Sequence, residues 1–374
     1  MKQCISFFLI AAMISCVSKP KKEFKAWYKE HSSQTKKSSV APTLHQKSFY
    51  SKNLMIDTIY RSMQGPYEIK KVQVGEVENK LFWLTAYESK VVESNSNSPL
   101  EAHYMCHNNL NYVAKEEVPW KLKTRGTNSR IFTLSEGQER LEFPEGFGIP
   151  LASQQEFEMV SQVLNHKTYP VNLTTKHQVT FEYYKDQELE KPLIPLYQQA
   201  VFITKQLSGP AGEYGLPKLC ISHHLDSHAI KGDEPLHDCS IQYEKGEYNP
   251  YHDQFDRRYT GHWNLPNEVE ELSTNVTPMM ALEHDSRIHL IGVHLHPFAK
   301  ALELWDSTSD SLLYAADIYT KADGFGFDSI GYFSSNKGIP VYQNHQYELR
   351  SRYHCTDSLN THTAMAVMYL YLAE

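Results

Sequence analysis

The chain has little that would direct it to nucleic acid. Its 374 residues carry 37 Lys and Arg against 44 Asp and Glu, a formal net charge of −7, and no stretch forms a basic face. Binding to a phosphate backbone depends on clustered cations. The composition therefore argues against nucleic acid, and against an anionic membrane surface, as the main partner.

The signatures of several common enzyme classes are also missing. The chain has no P-loop, no GxSxG elbow, no HExxH and no dinucleotide fingerprint, which argues against the enzyme classes built on those motifs. Long helical periodicity and internal repeats are absent as well. The one compositional excess is 19 histidines, and histidine is the commonest metal ligand.

Residues 1–15 have the pattern of a signal peptide, in which a short basic start precedes "ISFFLIAAM", an apolar run too short to span a bilayer as a helix. The following "MISC" resembles a bacterial lipobox with Met13 in place of leucine. It predicts lipidation of Cys16 and a membrane-anchored lipoprotein of the cell envelope. An ordinary signal peptide and an uncleaved anchor remain open as alternatives. Residues 16–45, rich in Lys and Ser, predict a flexible tether.

Export places the chain in an oxidising compartment, and besides Cys16 the exported part has four cysteines, so disulfides are expected. Cys220 and Cys239 close a short polar loop and are expected to pair, which leaves Cys106 to pair with Cys355. The short loop is rich in histidine, and it is either an additional metal site or a solvated insertion. Its histidines are His223, His224, His228 and His237.

The rest of the chain is predicted to be all-β. Short alternating runs such as "KLFWLTAYES", "RIHLIGVHLH" and "AMAVMYLYL" are separated by Gly, Pro, Asn and Asp turns. The length favours two β-sandwich domains in tandem, the N-terminal one over residues 46–195 and the C-terminal one over residues 196–374.

The stretch "IGVHLHPFAKALEL" contains an HxH motif near the end of a predicted strand. Alternation places His294 and His296 on one face, opposite Ile291, Val293 and Leu295. Both imidazoles then point away from the apolar face, close enough to bind one metal ion. An exposed surface pair is the alternative interpretation.

The last predicted strand adds a thioether. In "THTAMAVMYLYLAE" the same rule places Met365 and Tyr369 on one face, opposite His362. Two imidazoles and a thioether form a soft donor set that suits copper, Cu(I) in particular. Core packing is the alternative for Met365, and His362 is a competing third ligand.

These motifs resemble the copper type II, ascorbate-dependent monooxygenases, the family of peptidylglycine α-hydroxylating monooxygenase and dopamine β-monooxygenase. The resemblance rests on the order of HxH, a long intervening region and Met365 before "AVMYLYL". Upstream, "AHYMCHNNL" and "FPEGFGIPLASQQEFEMVSQVLNHKT" are similar to that family's N-terminal domain. The resemblance covers about residues 54–374, with residues 207–260 largely unmatched.

The resemblance implies two jelly-roll-like sandwiches that face each other across a solvent-filled cleft. A catalytic copper on His294, His296 and Met365 would activate dioxygen and hydroxylate an aliphatic carbon, with electrons from an ascorbate-like external reductant. Tyr369 matches a tyrosine that helps to hold the substrate. A second copper on three histidines would relay electrons, and the residues that match are His103, His107 and His166.

The sequence departs from the family at several of these positions. Tyr104 stands where the second of two adjacent histidines is expected, so the second copper is either kept through His107 or lost. Gly292 and Val367 replace the arginine and asparagine that hold a substrate carboxylate. A buried carboxylate without a charged partner is costly, so a glycine-extended peptide is not an expected substrate.

Two function classes follow from the sequence. The first is a copper-dependent monooxygenase of the cell envelope with one or two copper ions. The second is a non-catalytic copper-binding envelope lipoprotein on the same scaffold. The state of the histidines His103, His107 and His166 separates them, because the enzyme needs a second redox metal or another electron source.

Overall fold

Frequent turn residues divide the chain into short strands, and a computed structural model of the protein shows 24 strands within the residues that it describes. The described residues are 25–26, 28–29, 32, 41–75, 80–113, 130–167, 169–207, 248–253, 255, 257–322 and 324–373.

The first ten strands are β1 (His45–Tyr50), β2 (Leu54–Ile56), β3 (Tyr67–Gln73), β4 (Leu81–Glu93), β5 (Met105–Tyr112), β6 (Arg130–Ser135), β7 (Arg140–Glu142), β8 (Phe147–Ala152), β9 (Glu156–Val163) and β10 (Leu173–Lys185).

The remaining strands are β11 (Ile194–Phe202), β12 (Lys205–Gln206), β13 (Tyr259–Thr260), β14 (Trp263–Leu265), β15 (Val269–Asn275), β16 (Ser286–Leu295), β17 (Ala299–Asp306), β18 (Ser311–Ala315), β19 (Ile318–Thr320), β20 (Phe327–Ile330), β21 (Phe333–Val341), β22 (Tyr347–His354), β23 (His362–Ala364) and β24 (Ala366–Ala373). The helical segments are short, namely α1 (Thr277–Met280) and the 3-10 turns Ala102–Tyr104 and Asp186–Glu188.

The N-terminal half is a β-sandwich. One sheet runs in the order β1-β10-β4-β8, with β2 beside β10 and β7 beside β4, and the other runs β3-β9-β5-β6. Tyr87 on β4 stacks on Phe132 of β6 with ring centroids 5.0 Å apart. Its hydroxyl donates to Asn108 on β5. The two sheets therefore share one aromatic core.

The C-terminal half repeats this arrangement. One sheet has the order β11-β24-β16-β21 and the other β15-β22-β17-β18. Tyr353 on β22 crosses between them and donates to the carbonyl of Met365 at 2.6 Å. The predicted all-β fold of tandem sandwiches is confirmed, and the change from one sandwich to the next falls between Lys185 and Ile194.

The two sandwiches are in direct contact through their strands. Strand β11 pairs in parallel with β8 at Ile194 and Phe147, so the two larger sheets form one sheet of ten strands. Tyr371 on β24 is fully buried, packs on Phe143 with ring centroids 5.2 Å apart and donates to the carbonyl of Ile131 at 2.7 Å. The solvent-filled cleft implied by the family resemblance is therefore wrong at this junction, because apolar side chains fill the space.

Part of the predicted tether is anchored to the N-terminal sandwich. The Tyr28 hydroxyl donates to both carboxylate oxygens of Asp186, at 3.1 and 3.2 Å. The Trp83 indole donates to the same carboxylate at 2.9 Å. Tyr28 also packs on a small apolar cluster that includes Trp83. Tyr28, within the predicted tether of residues 16–45, is thus in contact with the N-terminal sandwich.

This anchor predicts a measurable loss of stability in a conservative variant. Tyr28→Phe keeps the ring but removes the hydroxyl from a charged acceptor, so the free energy of unfolding should fall by about 1 kcal/mol. Urea denaturation measures the change, with Lys29→Ala at an exposed neighbouring position as the control. Equal stability of Tyr28→Phe and the wild type would show that the anchor contributes nothing.

The expected disulfide between Cys106 and Cys355 is wrong. Both residues are buried with reduced sulfurs, Cys106 in the N-terminal sandwich and Cys355 just after β22 in the C-terminal one. The Cys355 thiol donates to Asn267 Oδ1 at 3.3 Å. The expected Cys220–Cys239 pair, the histidines between them, the signal peptide and Cys16 all lie outside the described residues.

No helix in the described part of the chain is long and apolar enough to cross a bilayer.

Candidate metal centre

Strand β16 carries the HxH histidines to the boundary between the two sandwiches. It pairs antiparallel with β24, and His294 stands opposite Val367. Two residues further along, the His296 amide donates to the Met365 carbonyl at 3.2 Å. Directly opposed residues of antiparallel strands share one face of the sheet. The register therefore places Met365 on the same face as both histidines.

This face is covered by the N-terminal sandwich. A Cβ atom on Gly292 would lie 2.9 Å from a methyl group of Leu141 and 3.2 Å from Gln138 Oε1, so a larger residue there would require these two side chains to shift. His294 and His296 are 7% and 3% exposed. The two histidines thus point away from the core of the C-terminal sandwich, as predicted. They are nevertheless buried, because the N-terminal sandwich covers them.

Tyr369 lies on this covered face as well. It stands opposite Gly292 and is 4% exposed. The position where the family carries an arginine for the substrate carboxylate is thus packed against Leu141 and Gln138. In the described structure, Leu141 and Gln138 occupy the space where a substrate carboxylate would approach Gly292.

Three imidazoles meet at the end of β16. The ring centroids of His294 and His296 are 5.4 Å apart at an interplanar angle of 88°. The ring of His262 lies 5.0 Å from that of His296 at 86°. Sequence reasoning did not assign His262 to this site, because its position depends on the pairing of β14 with β23 and no periodicity marks it.

Hydrogen bonds fix the tautomer of His296. Its Nδ1 lies 3.1 Å from the Thr363 carbonyl, which only accepts, so Nδ1 carries the proton. The other nitrogen, Nε2, then holds a lone pair that accepts from the Ser62 hydroxyl 3.1 Å away, and a metal ion on His296 would take this lone pair in place of Ser62. Ser62 belongs to the N-terminal half, so both sandwiches orient this imidazole. A carbonyl partner on one ring nitrogen is typical of metal-binding histidines.

His294 has an unsatisfied ring nitrogen. Its Nδ1 is buried and has no hydrogen-bond partner within the described structure. An unpaired buried polar atom costs free energy, so a native site that keeps one calls for an explanation. A metal ion bound to this imidazole would provide it.

Both histidines are neutral at pH 7. Burial lowers the pKa of His294 to about 4, and the charges of Arg130 and His262 add to this effect. Burial also holds the pKa of His296 well below its usual value, followed by the charges of His262 and His294. A neutral imidazole is the form that binds a metal.

Met365 occupies the break between β23 and β24. It is half-buried, and its carbonyl accepts from both the His296 amide and the Tyr353 hydroxyl. These bonds fix its backbone beside the histidines. Met365 also packs against the main hydrophobic core, the alternative role that the sequence left open.

His362, the competing third ligand, is engaged elsewhere. Its Nε2 lies 2.8 Å from Asp357 Oδ2. Its ring packs edge-on against Phe298, with centroids 4.8 Å apart, and against Phe325 at 5.3 Å. It is hydrogen-bonded to Asp357 beside an aromatic cluster, and alternation places it on the strand face opposite to Met365.

The chemistry of the donors at His294, His296 and Met365 fits copper. Two neutral imidazoles and a thioether share one sheet face, and this soft, low-coordinate set suits Cu(I). Within the described residues, no three His, Cys, Asp or Glu side chains are arranged to hold an ion.

The histidines proposed for a second copper are divided between two environments. His103 and His166 lie near Glu136, whose carboxylate is 3.6 Å from His166 Nδ1 and contributes to the field at His103. His107 is fully buried in β5, and its pKa is held well below the usual value by burial and by the charges of His294, Arg130 and His177. The predicted trio of His103, His107 and His166 is not assembled.

The reason lies in the local backbone. His103 belongs to the 3-10 turn before β5, whereas His107 follows an irregularity in the pairing of β5 with β9. The prediction assumed that His103 and His107 lie on the same face of one regular strand. The 3-10 turn and the irregular pairing interrupt that strand.

Comparisons with known proteins add no functional information. No family model matches the chain, and no curated protein matches it. A solved structure described as "Crystal Structure of the STIV MCP" is 8% identical and covers 88% of this chain and 97% of its own, with a TM-score of 0.30. A similarity at this level carries no argument about fold or activity.

Proposed function

We propose that this protein binds copper through His294, His296 and Met365 and acts as a monooxygenase. The observation that carries the proposal is the pairing of two neutral, buried imidazoles on one sheet face with Met365 beside them. The unsatisfied Nδ1 of His294 adds to it.

Copper held there would supply dioxygen activation, and the overall reaction inserts one oxygen atom into a C–H bond while two electrons and two protons convert the other to water. The chain's own residues prepare the site. Thr363 and Ser62 orient His296. Burial excludes water and keeps both imidazoles unprotonated, and the thioether favours the reduced ion.

Copper binding without catalysis is the second candidate. It is favoured by the packing of Leu141 and Gln138 on Gly292, which fills the family's substrate position, and by the separation of His103 and His166 from His107. A copper site without access for a substrate would serve storage or delivery of the ion.

Oxygen uptake distinguishes the two candidates. Copper-loaded wild type with ascorbate as the external reductant should consume dioxygen faster than the same protein without copper, and His294→Ala should reduce the rate to that of free copper at equal concentration. Copper binding with no oxygen uptake above the free-ion rate would support the non-catalytic candidate instead.

For the location of the protein, we propose the cell envelope, with a lipid anchor on Cys16. The basis is the "MISC" segment after a short apolar run. Cys16→Ser should move the protein from the membrane fraction to a soluble fraction, because a lost acyl anchor leaves no other hydrophobic segment of membrane length in the sequence. Unchanged membrane association would contradict the anchor.

A further inference from the structure

A turn of the N-terminal sandwich inserts into the C-terminal sandwich. It spans residues 135–138, between β6 and β7. The Val293 amide donates to Gln138 Oε1 at 2.8 Å, and the Ile330 amide donates to the Gly137 carbonyl at 2.7 Å. Gly137 has φ +82°, and a Cβ there would lie 2.9 Å from Phe327. The C-terminal sandwich therefore holds this turn through two hydrogen bonds and close packing.

Glu136, in this turn, carries a buried carboxylate. Lys321 of the C-terminal sandwich places its ammonium 2.5 Å from Glu136 Oε1. The loop that follows Lys321 encloses the carboxylate, since a Cβ on Gly326 would lie 2.6 Å from the same oxygen. With its side chain only 8% exposed, Glu136 would be costly to bury without this cation.

Two histidines stand around this pair. His166 Nδ1 faces Glu136 Oε2 at 3.6 Å, and His103 Nε2 is buried without a hydrogen-bond partner in the described structure. His103 is held on its other side by Glu101, 2.8 Å from Nδ1. Burial lowers the pKa of His103, and the charge of Lys321 is the next largest cause. The ammonium thus acts on the carboxylate and on His103 together.

We propose that the Lys321 ammonium is the resident cation of the cluster formed by His103, His166 and Glu136, and that it excludes a second metal ion from the N-terminal sandwich. The inference rests on the proposed function, in which the protein binds a single copper ion in the C-terminal sandwich. A metal ion and the ammonium compete for the same carboxylate oxygen, and like charges repel at such distances.

The side chains around Lys321 indicate which kind of metal ion its ammonium would keep out. Two imidazoles and a carboxylate suit first-row divalent ions such as Zn²⁺. Within the described residues these donors are not arranged as a metal site, and the proposal assigns this to the ammonium of Lys321. The described part of the chain then holds no second redox metal to relay electrons, and a reductant would deliver electrons directly to the copper site.

The test uses Zn²⁺ in the His294→Ala background, so that the copper site does not contribute. Lys321→Met keeps the aliphatic stem but removes the charge, and should bind one equivalent of Zn²⁺ roughly tenfold or more tightly than the matched control Lys300→Met at an exposed position. Adding His166→Ala to Lys321→Met should abolish this binding. Calorimetry and metal analysis provide the readouts.

The inference is overturned if Lys321→Met gains no Zn²⁺, or if the wild type binds a second ion that His166→Ala removes. Lys321→Met leaves Glu136 without its cation, so its folding is checked by circular dichroism. Should it not fold, the wild-type comparison with His166→Ala decides alone. If the proposed copper site is wrong, the wild type will bind no copper. The Zn²⁺ measurement does not depend on that result.

Discussion

His294→Ala is expected to abolish the binding of one equivalent of copper while leaving the fold intact. His294 and His296 lie on the sheet face that also carries Met365, with His294 opposite Val367 and the His296 amide bound to the Met365 carbonyl. Removal of the His294 imidazole leaves His296 and Met365 of the three proposed ligands, and two ligands hold copper weakly. The substitution also removes the unsatisfied Nδ1 from the interface, and this offsets part of the cost of the cavity. Metal analysis after equilibrium dialysis measures the loss.

Met365→Leu should separate the two oxidation states of copper. A thioether contributes to binding of the soft Cu(I) and little to the harder Cu(II), so affinity should fall for Cu(I) more than for Cu(II). Competition with chelators specific for each ion measures both. His354→Ala, at an exposed position on β22, is the matched control and should change neither. Equal losses for both ions would show that the sulfur is not a ligand.

The second large effect is loss of stability of the copper-free protein in mild acid. Burial lowers the pKa of His177 and His294 to about 4 and holds that of His107 and His296 well below the usual value. In the unfolded chain these groups titrate near ~6.5. Between these values the unfolded chain binds protons that the folded protein does not, so stability is full above pH ~6.5 and falls as the pH decreases.

The size of this effect follows from linkage. Each such histidine lowers the free energy of unfolding by about 1.4 kcal/mol per pH unit, and one with a folded pKa of about 4 costs about 3 kcal/mol by pH 4. His177 and His294 together would cost about 6 kcal/mol by pH 4, which is within the whole stability of a typical protein, and His107 and His296 act in the same direction. The copper-free protein should therefore unfold between pH 6.5 and 4.

Urea denaturation at several pH values and constant ionic strength tests this, and His177→Gln serves as an internal control. His177 accepts from Ser89 and donates to the Gln162 carbonyl, so it is not a proposed ligand. Its replacement should reduce the pH slope and leave the copper content unchanged. A urea midpoint that is constant from pH 7 to pH 4.5 would contradict the prediction.

Strand alternation explains why the all-β fold, and the strands that carry His294 and Met365, could be predicted from the sequence. The runs around His294 and Met365 form β16 and β24, and the register places their side chains on one face as the period of a strand requires. Gly292 and Val367, noted as departures from the family, lie on that face as well. These features depend on local periodicity, and the sequence carries it directly.

What could not be predicted depends on contacts between distant segments. Alternation cannot show that Leu141 covers Gly292, that Ser62 reaches His296, or that His262 joins it. The same holds for Glu136, a turn residue without periodicity whose partner Lys321 is 185 positions away. The anchoring of Tyr28 on Asp186 is likewise a long-range contact, in a segment whose composition is that of a tether.

X-ray absorption spectroscopy of the Cu(I)-loaded protein tests the central claim most directly, because it counts the nitrogen and sulfur neighbours of the metal. The proposed site predicts two imidazole nitrogens and one sulfur, with the sulfur contribution lost in Met365→Leu and retained in His354→Ala. A first shell of nitrogen alone in the wild type, or a sulfur contribution that persists in Met365→Leu, would contradict a copper site on His294, His296 and Met365.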